Sequence, residues 1–244
     1  MSLLARRASA EFAGTALLVA AVVGSGIAAA RLSPTDVGLQ LLENAIATAL
    51  ALGALILTFG PVSGAHFNPI VSAVDWWLGR RAGTGLSASD LAAYVAAQVC
   101  GAISGTVLAN LMFDLPAATW SRTDRIGANL WLAEVVATAG LVVLVFALAR
   151  TGRSNAAPAA VGAYIGAAYW FTSSTSFANP AVSIGRAFTD TFAGITPTSL
   201  PGFVCAQLVG GLVAIAAIVV WYPNAGNAAD DVVVAHPSQE AEAR

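Results

Sequence analysis

Ser63-Gly64-Ala65-His66-Phe67-Asn68-Pro69-Ile70 and Ser176-Phe177-Ala178-Asn179-Pro180-Ala181-Val182 decide the fold of this 244-residue chain. In each, a few irregular residues precede Asn-Pro, and an apolar segment follows, from Asn68 to near Leu78 and from Asn179 to near Phe188. Proline suits the first turn of a helix, where the amide hydrogen it lacks has no partner anyway. A helix of about ten residues covers roughly 15 Å, half of the roughly 30 Å hydrocarbon core of a bilayer. Both segments read as helices that enter a membrane and stop halfway.

Composition agrees with lipid as the solvent. The chain is 57% hydrophobic and 10% charged, and it contains no lysine. Soluble domains carry about 25% charge. Apolar runs predict six full spans, near 10–30, 40–60, 90–111, 129–149, 157–174 and 202–222. Arg6, Arg7, Arg80, Arg81, Arg150 and Arg153 fall on one side. Arg31, Arg122 and Arg125 fall on the other, with Arg186 near that end. This excess places both termini in the cytoplasm. The first apolar run holds Glu11 and has no cleavage site, so it reads as a span and not as a signal peptide. Cys100 and Cys205 lie in apolar runs without metal-ligand spacing and read as small core residues. A net charge of -2 argues against a nucleic-acid partner. The polar, acidic tail, residues 223–244, predicts disorder.

The two motifs belong to an internal repeat. Ala10-Glu11-Phe12 matches Ala133-Glu134-Val135, Asn68-Pro69 matches Asn179-Pro180, and Ala97-Gln98 matches Ala206-Gln207, at offsets of 123, 111 and 109 residues. Each half, about 8–111 and 129–222, holds three spans. An odd number makes the second half enter the membrane upside down. The half-helices then approach from opposite faces and meet at their N-termini near the midplane. Each brings a partial positive charge of about +0.5 that opposes cations. Irregular backbone at that depth is tolerated only inside protein or along a watery cavity. Its carbonyls offer acceptors to a solute, and the Asn68 and Asn179 amides offer donors. Such a pore admits neutral hydrogen-bonding molecules.

Glu11 and Glu134 are carboxylates at membrane depth, where charge costs about 3 kcal/mol or more. They read either as an ion relay or as acceptors that hold the N–H groups of the re-entrant loops, and their symmetric placement favours the second. His66 reads as a polar residue beside the pore.

These residues resemble the major intrinsic protein superfamily, the aquaporins and aquaglyceroporins, over about residues 8–222. The resemblance implies an all-α membrane fold of six helices plus two half-helices in one channel domain, followed by the tail. It further implies one pore per subunit, homotetrameric assembly in lipid and no cofactor. Gly64, Ala65, His66, Phe177 and Ala178 become pore lining or loop support. Two departures stand out. Ile70 replaces the usual alanine, and Val182 stands where the family usually has arginine. Spacing carries the family's outer filter onto Thr48, Ala167, Ser176 and Val182, all small or medium-sized and uncharged. That set, with Thr175–Val182 and Thr189-Asp190-Thr191-Phe192-Ala193-Gly194, resembles a bacterial branch associated with arsenic resistance. The implied solutes are water, glycerol, urea and neutral metalloids such as arsenite as its trihydroxide, and the implied location is a bacterial inner membrane. Arg186 lies one helical turn, about 6 Å, beyond Val182. It either places a cation in the outer vestibule or pairs with Asp190 at the surface.

A secondary transporter also uses inverted repeats and broken helices. It would need a carboxylate facing the substrate, for which only Glu11 and Glu134 qualify. No nucleophile–base set, phosphate loop or metal site suggests an enzyme.

Overall fold

The computed structural model describes residues 1–233. Its helices are α1 (Leu3–Leu32), α2 (Val37–Ser63), α3 (Pro69–Gly79), α4 (Ala88–Met112), α5 (Ala128–Arg150), α6 (Ala157–Phe171), α7 (Pro180–Arg186) and α8 (Leu200–Trp221), followed by a 3-10 segment, Ala225–Asp231. No strand occurs among the described residues.

Local chemistry sets the helix starts. The Ser2 and Asp36 side chains accept from the Ala5 and Leu39 N–H groups. Ser87 and Asp90 cap α4 reciprocally. Asn68 and Asn179 cap α3 and α7, each with proline in the first turn. Asparagine accepts the otherwise orphaned N–H groups there.

Five helices are long and apolar enough to cross a membrane. At 30 residues, α1 spans about 45 Å and must tilt. The remaining full-length segment is shorter than expected. Helix α6 has 15 residues, about 22 Å, and ends at Phe171 because Thr172 turns extended instead of continuing to 174. The half-helices begin at the expected prolines. α3 has 11 residues and α7 only 7, stopping at Arg186 before Phe188.

The packing repeats as the sequence does. α1 crosses α4 closely, and α5 crosses α8 in the same way. Gly105 and Gly210 make these approaches possible. A Cβ there would lie 2.1 Å from the Ala16 carbonyl and 2.7 Å from that of Val135. Large apolar side chains such as Leu50, Leu57, Leu132, Leu212 and Val220 face outward, while Glu11, Gln98, Glu134 and Gln207 are fully buried. That is the arrangement expected when lipid covers the outside.

Two expectations need correction. Cys100 and Cys205 are exposed free thiols on the outer helix faces and not core residues. The chain from Asn224 is not disordered at its start. Residues 225–231 form the 3-10 segment, and Val232 and Val233 are buried. The rest of the tail, 234–244, lies outside the described residues.

Candidate functional site

The two re-entrant loops share one backbone. In the first, Gly64, Ala65 and Phe67 have positive φ (84°, 51° and 48°); in the second, Thr175, Ser176 and Ala178 do (61°, 50° and 49°). These positions correspond at the 111-residue offset. Left-handed backbone at alanine, serine, threonine and phenylalanine is costly, so strong partners must hold it.

Those partners are the buried glutamates. Glu11 accepts from the backbone N–H groups of His66 (3.0 Å) and Phe67 (2.7 Å), the Ser63 hydroxyl (2.6 Å) and the Gln98 amide (2.8 Å). Glu134 accepts from Phe177 (2.9 Å) and Ala178 (2.8 Å) and from the Gln207 amide (2.6 Å). A carboxylate with this many donors tolerates burial. Neither glutamate lines the central cavity, and no Asp or Glu does among the described residues. Both carboxylates bind the backbone of the re-entrant loops.

At the centre the loops clasp each other. The Asn68 amide donates to the Ala178 carbonyl (2.8 Å), and the Asn179 amide donates to that of Phe67 (2.7 Å). The asparagine oxygens meanwhile accept from Ile70 and from Ala181 and Val182. Each amide nitrogen carries a second hydrogen beyond this clasp.

Asn68, Asn179, Ala65, His66, Phe177, Thr48, Ser176, Val182 and Arg186 all line one cavity that runs past the clasp. Gly64, Ala178, Pro69, Ile70, Pro180 and Ala181 lie outside the lining and shape the loops and helix starts. The Ser176 hydroxyl is buried and has no partner among the described residues. The His66 ring nitrogen Nδ1 lies 3.1 Å from the Ser72 hydroxyl.

Ala167, which spacing assigned to the filter, does not line the cavity. It is exposed on the outer face of α6. The helix instead sends Val161, Ile165 and Tyr169 to the cavity. Two residues turn a helix by about 200°, so a count wrong by two selects the opposite face. The Tyr169 hydroxyl lies 3.2 Å from that of Thr48. The cavity thus has a phenol beside Thr48 where a methyl group was expected.

The surface pair of Arg186 with Asp190 is also absent. Asp190 binds Arg122, whose Nε donates at 2.7 Å and whose backbone N–H donates at 2.9 Å. These contacts hold the Asp190 carboxyl below the usual carboxylate range. Arg186 is 2% exposed and stacks with its guanidinium carbon 3.4 Å from the Phe177 ring centre. Its Nε donates to the Ala193 carbonyl. Arg125, which the sequence did not mark, approaches Phe177 within 5.0 Å and donates to the Gly194 carbonyl.

Known proteins share this architecture. Residues 2–191 match the family model for the major intrinsic protein. Aquaglyceroporin AqpS of Rhizobium meliloti (strain 1021) is 55% identical over 213 residues, 87% of this chain and 88% of that protein. Aquaporin TIP1-2 of Zea mays is 33% identical over 195 residues, 75% of this chain and 74% of that one. The X-ray structure of the aquaglyceroporin from Plasmodium falciparum has the same fold, with a TM-score of 0.64 over 90% of this chain and 96% of that chain at 19% identity. Sequence, loop geometry and cavity converge, and the chain belongs to the major intrinsic protein family of passive membrane channels, which are not enzymes.

Proposed function

We propose that residues 1–222 form a channel domain for small neutral solutes: glycerol- and urea-like molecules, neutral metalloids such as arsenite as its trihydroxide, and water. One observation carries the reading: apart from Arg186 at one end and His66, the cavity is lined by uncharged polar groups set among apolar side chains. The Ser176 hydroxyl, the Thr48–Tyr169 hydroxyl pair and the Asn68 and Asn179 amides lie among Leu18, Val22, Ile165 and Val182. A polyol or trihydroxide passing there can trade water for these hydroxyls and amides, while its apolar edge meets valine and isoleucine. The carbonyl oxygens of Ala65 and Ser176 accept no backbone N–H among the described residues, which leaves them open to a solute in this reading.

The filter of this reading is Thr48, Tyr169, Ser176 and Val182. Arg186, one turn beyond Val182, supplies the cation of the outer vestibule. Its stacking on Phe177 and the loss of Asp190 to Arg122 support that role. The working unit is a homotetramer in a bacterial inner membrane, with the termini on the cytoplasmic side.

Reconstituted protein compared by stopped-flow for water, glycerol, urea and arsenite tests this. Val182→Arg lowers passage of the three larger solutes more than that of water; equal fluxes before and after contradict the filter. Arg186→Ala admits an ion leak, and an unchanged leak and conduction remove the vestibule role.

A further inference from the structure

The chain does not leave the bundle after α8. The Pro223 carbonyl accepts from Arg150 Nε at 3.3 Å, and the Thr84 hydroxyl donates to the Gly226 carbonyl. Gly226 lies against the Leu78 carbonyl, which a Cβ would approach to 2.5 Å. Ala229 is 1% exposed and fits beside Gly79 and Gly85. A Cβ on either glycine would come within 3.1 Å of the Ala229 methyl. The end of α3 and the turn after it are therefore shaped to receive the segment after α8.

The last described residues of that segment reach the cavity. Val232 and Val233 join the main apolar core, and Val233 lines the same cavity as Asn68 and Asn179. It shares that lining with Ile56, Val71 and Val145. The connectivity puts this mouth on the face that holds the start of α1 and the end of α8. Val233 has φ +63°, a left-handed backbone unfavourable to a β-branched side chain. Apolar burial holds the residue in place against that strain.

We propose that residues 222–233 are a built-in plug. Val233 closes the pore mouth on the side of the termini, and withdrawal of the segment opens it. A ring of valine and isoleucine side chains offers a polar solute no hydrogen bonds and stops it by dewetting. The plug's described tethers include one arginine contact, one threonine hydroxyl, the fit of Ala229 between two glycines and the apolar burial of Val232 and Val233. The left-handed backbone of Val233 favours withdrawal of the segment, and its apolar burial opposes it.

The inference rests on reading the cavity as the solute path, so the experiment separates the two. Full-length protein in proteoliposomes is assayed for glycerol flux per protein, beside Val182→Arg. Val233→Gly removes the wedge and suits the left-handed backbone, so the fold is not threatened. Its flux rises at least about threefold as the closed population is lost. Thr84→Val removes the clasp on Gly226 and raises flux in the same direction by less. If both variants conduct as the parent does while Val182→Arg still lowers flux, the plug is overturned and the path stands. If Val182→Arg also changes nothing, the path reading fails as well.

Discussion

The loop before α3 and the loop before α7 follow one backbone track with different side chains. His66 and Phe67 in the first correspond to Phe177 and Ala178 in the second. Phe67 packs edge-on against Phe59 at 6.1 Å and covers Gly14, where a Cβ would lie 2.0 Å from its ring. At the equivalent place the second half has the small Ala178, and the position equivalent to Gly14 is Ala137. Phe177 instead carries Arg186 over its face and makes a T-shaped pair with Phe203. Ile70, bulkier than Ala181, meets Gly211 on α8, where a Cβ would lie 2.8 Å from its methyl. The position equivalent to Gly211 in α4 is Ala102. The shared backbone follows from a shared task, because both loops give N–H groups to a buried glutamate and a carbonyl to the opposite asparagine. The side chains differ because the two mouths face different surroundings: an apolar vestibule on one side and an arginine-flanked one on the other.

The glutamates offer the strongest way to break this symmetry. Removing Glu11 or Glu134 leaves loop N–H groups buried without an acceptor, at a cost of about 3–5 kcal/mol, the scale for breaking a buried charged network. Glu11 accepts four hydrogen bonds and Glu134 three. Thermal unfolding in detergent should show the larger loss for Glu11→Ala. Equal, small losses would mean that the loops hold themselves.

Overpacking comes next. Gly14→Ala forces a methyl into the Phe67 ring and should cost about 1–3 kcal/mol, largely recovered in Gly14→Ala/Phe67→Leu. Ala137→Gly, its counterpart in the second half, should cost no more than about 1 kcal/mol. A neutral Gly14→Ala would show that Phe67 is not fixed by its neighbour.

The filter gives a comparison within one helix. Tyr169→Ala should raise flux of solutes larger than glycerol, while Ala167→Trp, facing outward, should leave all fluxes unchanged. The reverse pattern would restore the assignment made from spacing.

The smallest effect concerns the outer loop. The Asp190 carboxyl titrates below its ordinary range because the Arg122 N–H groups bind its charged form. Its stabilising contribution is therefore present above about pH 4, the unfolded value, and fades as pH falls through the lower folded value. Arg122→Ala should remove that part of the acid sensitivity. Because the Arg122 side chain is 88% exposed, the change should be slight. A large loss of stability at neutral pH would contradict this.

Much of this was legible in the sequence, for physical reasons. Asparagine followed by proline offers a cap and a first-turn residue to the apolar segment behind it, and glutamate and glutamine inside apolar runs are too costly to be incidental, so both halves could be read from their polar residues. The α6 face was not legible by counting from a motif across an irregular loop. The four-residue spacing of Val161, Ile165 and Tyr169 carried the signal, and Ala167 falls off that stripe. Arg186 could be narrowed to two roles but not assigned, since Asp190 was near in sequence while Arg122 competed for it from a distant loop. The tail looked polar by composition, yet the apolar pair Val232-Val233 after Asp230-Asp231 was a signal for the burial that both valines show.

Passive conduction of neutral molecules is the claim on which the rest depends. Glycerol efflux from proteoliposomes, recorded against gradient size with internal pH followed in the same vesicles, tests it most directly. The account predicts flux proportional to the gradient, with no proton movement and no effect of membrane potential. Flux that saturates and carries protons with it would contradict the account and put a glutamate back in the solute path.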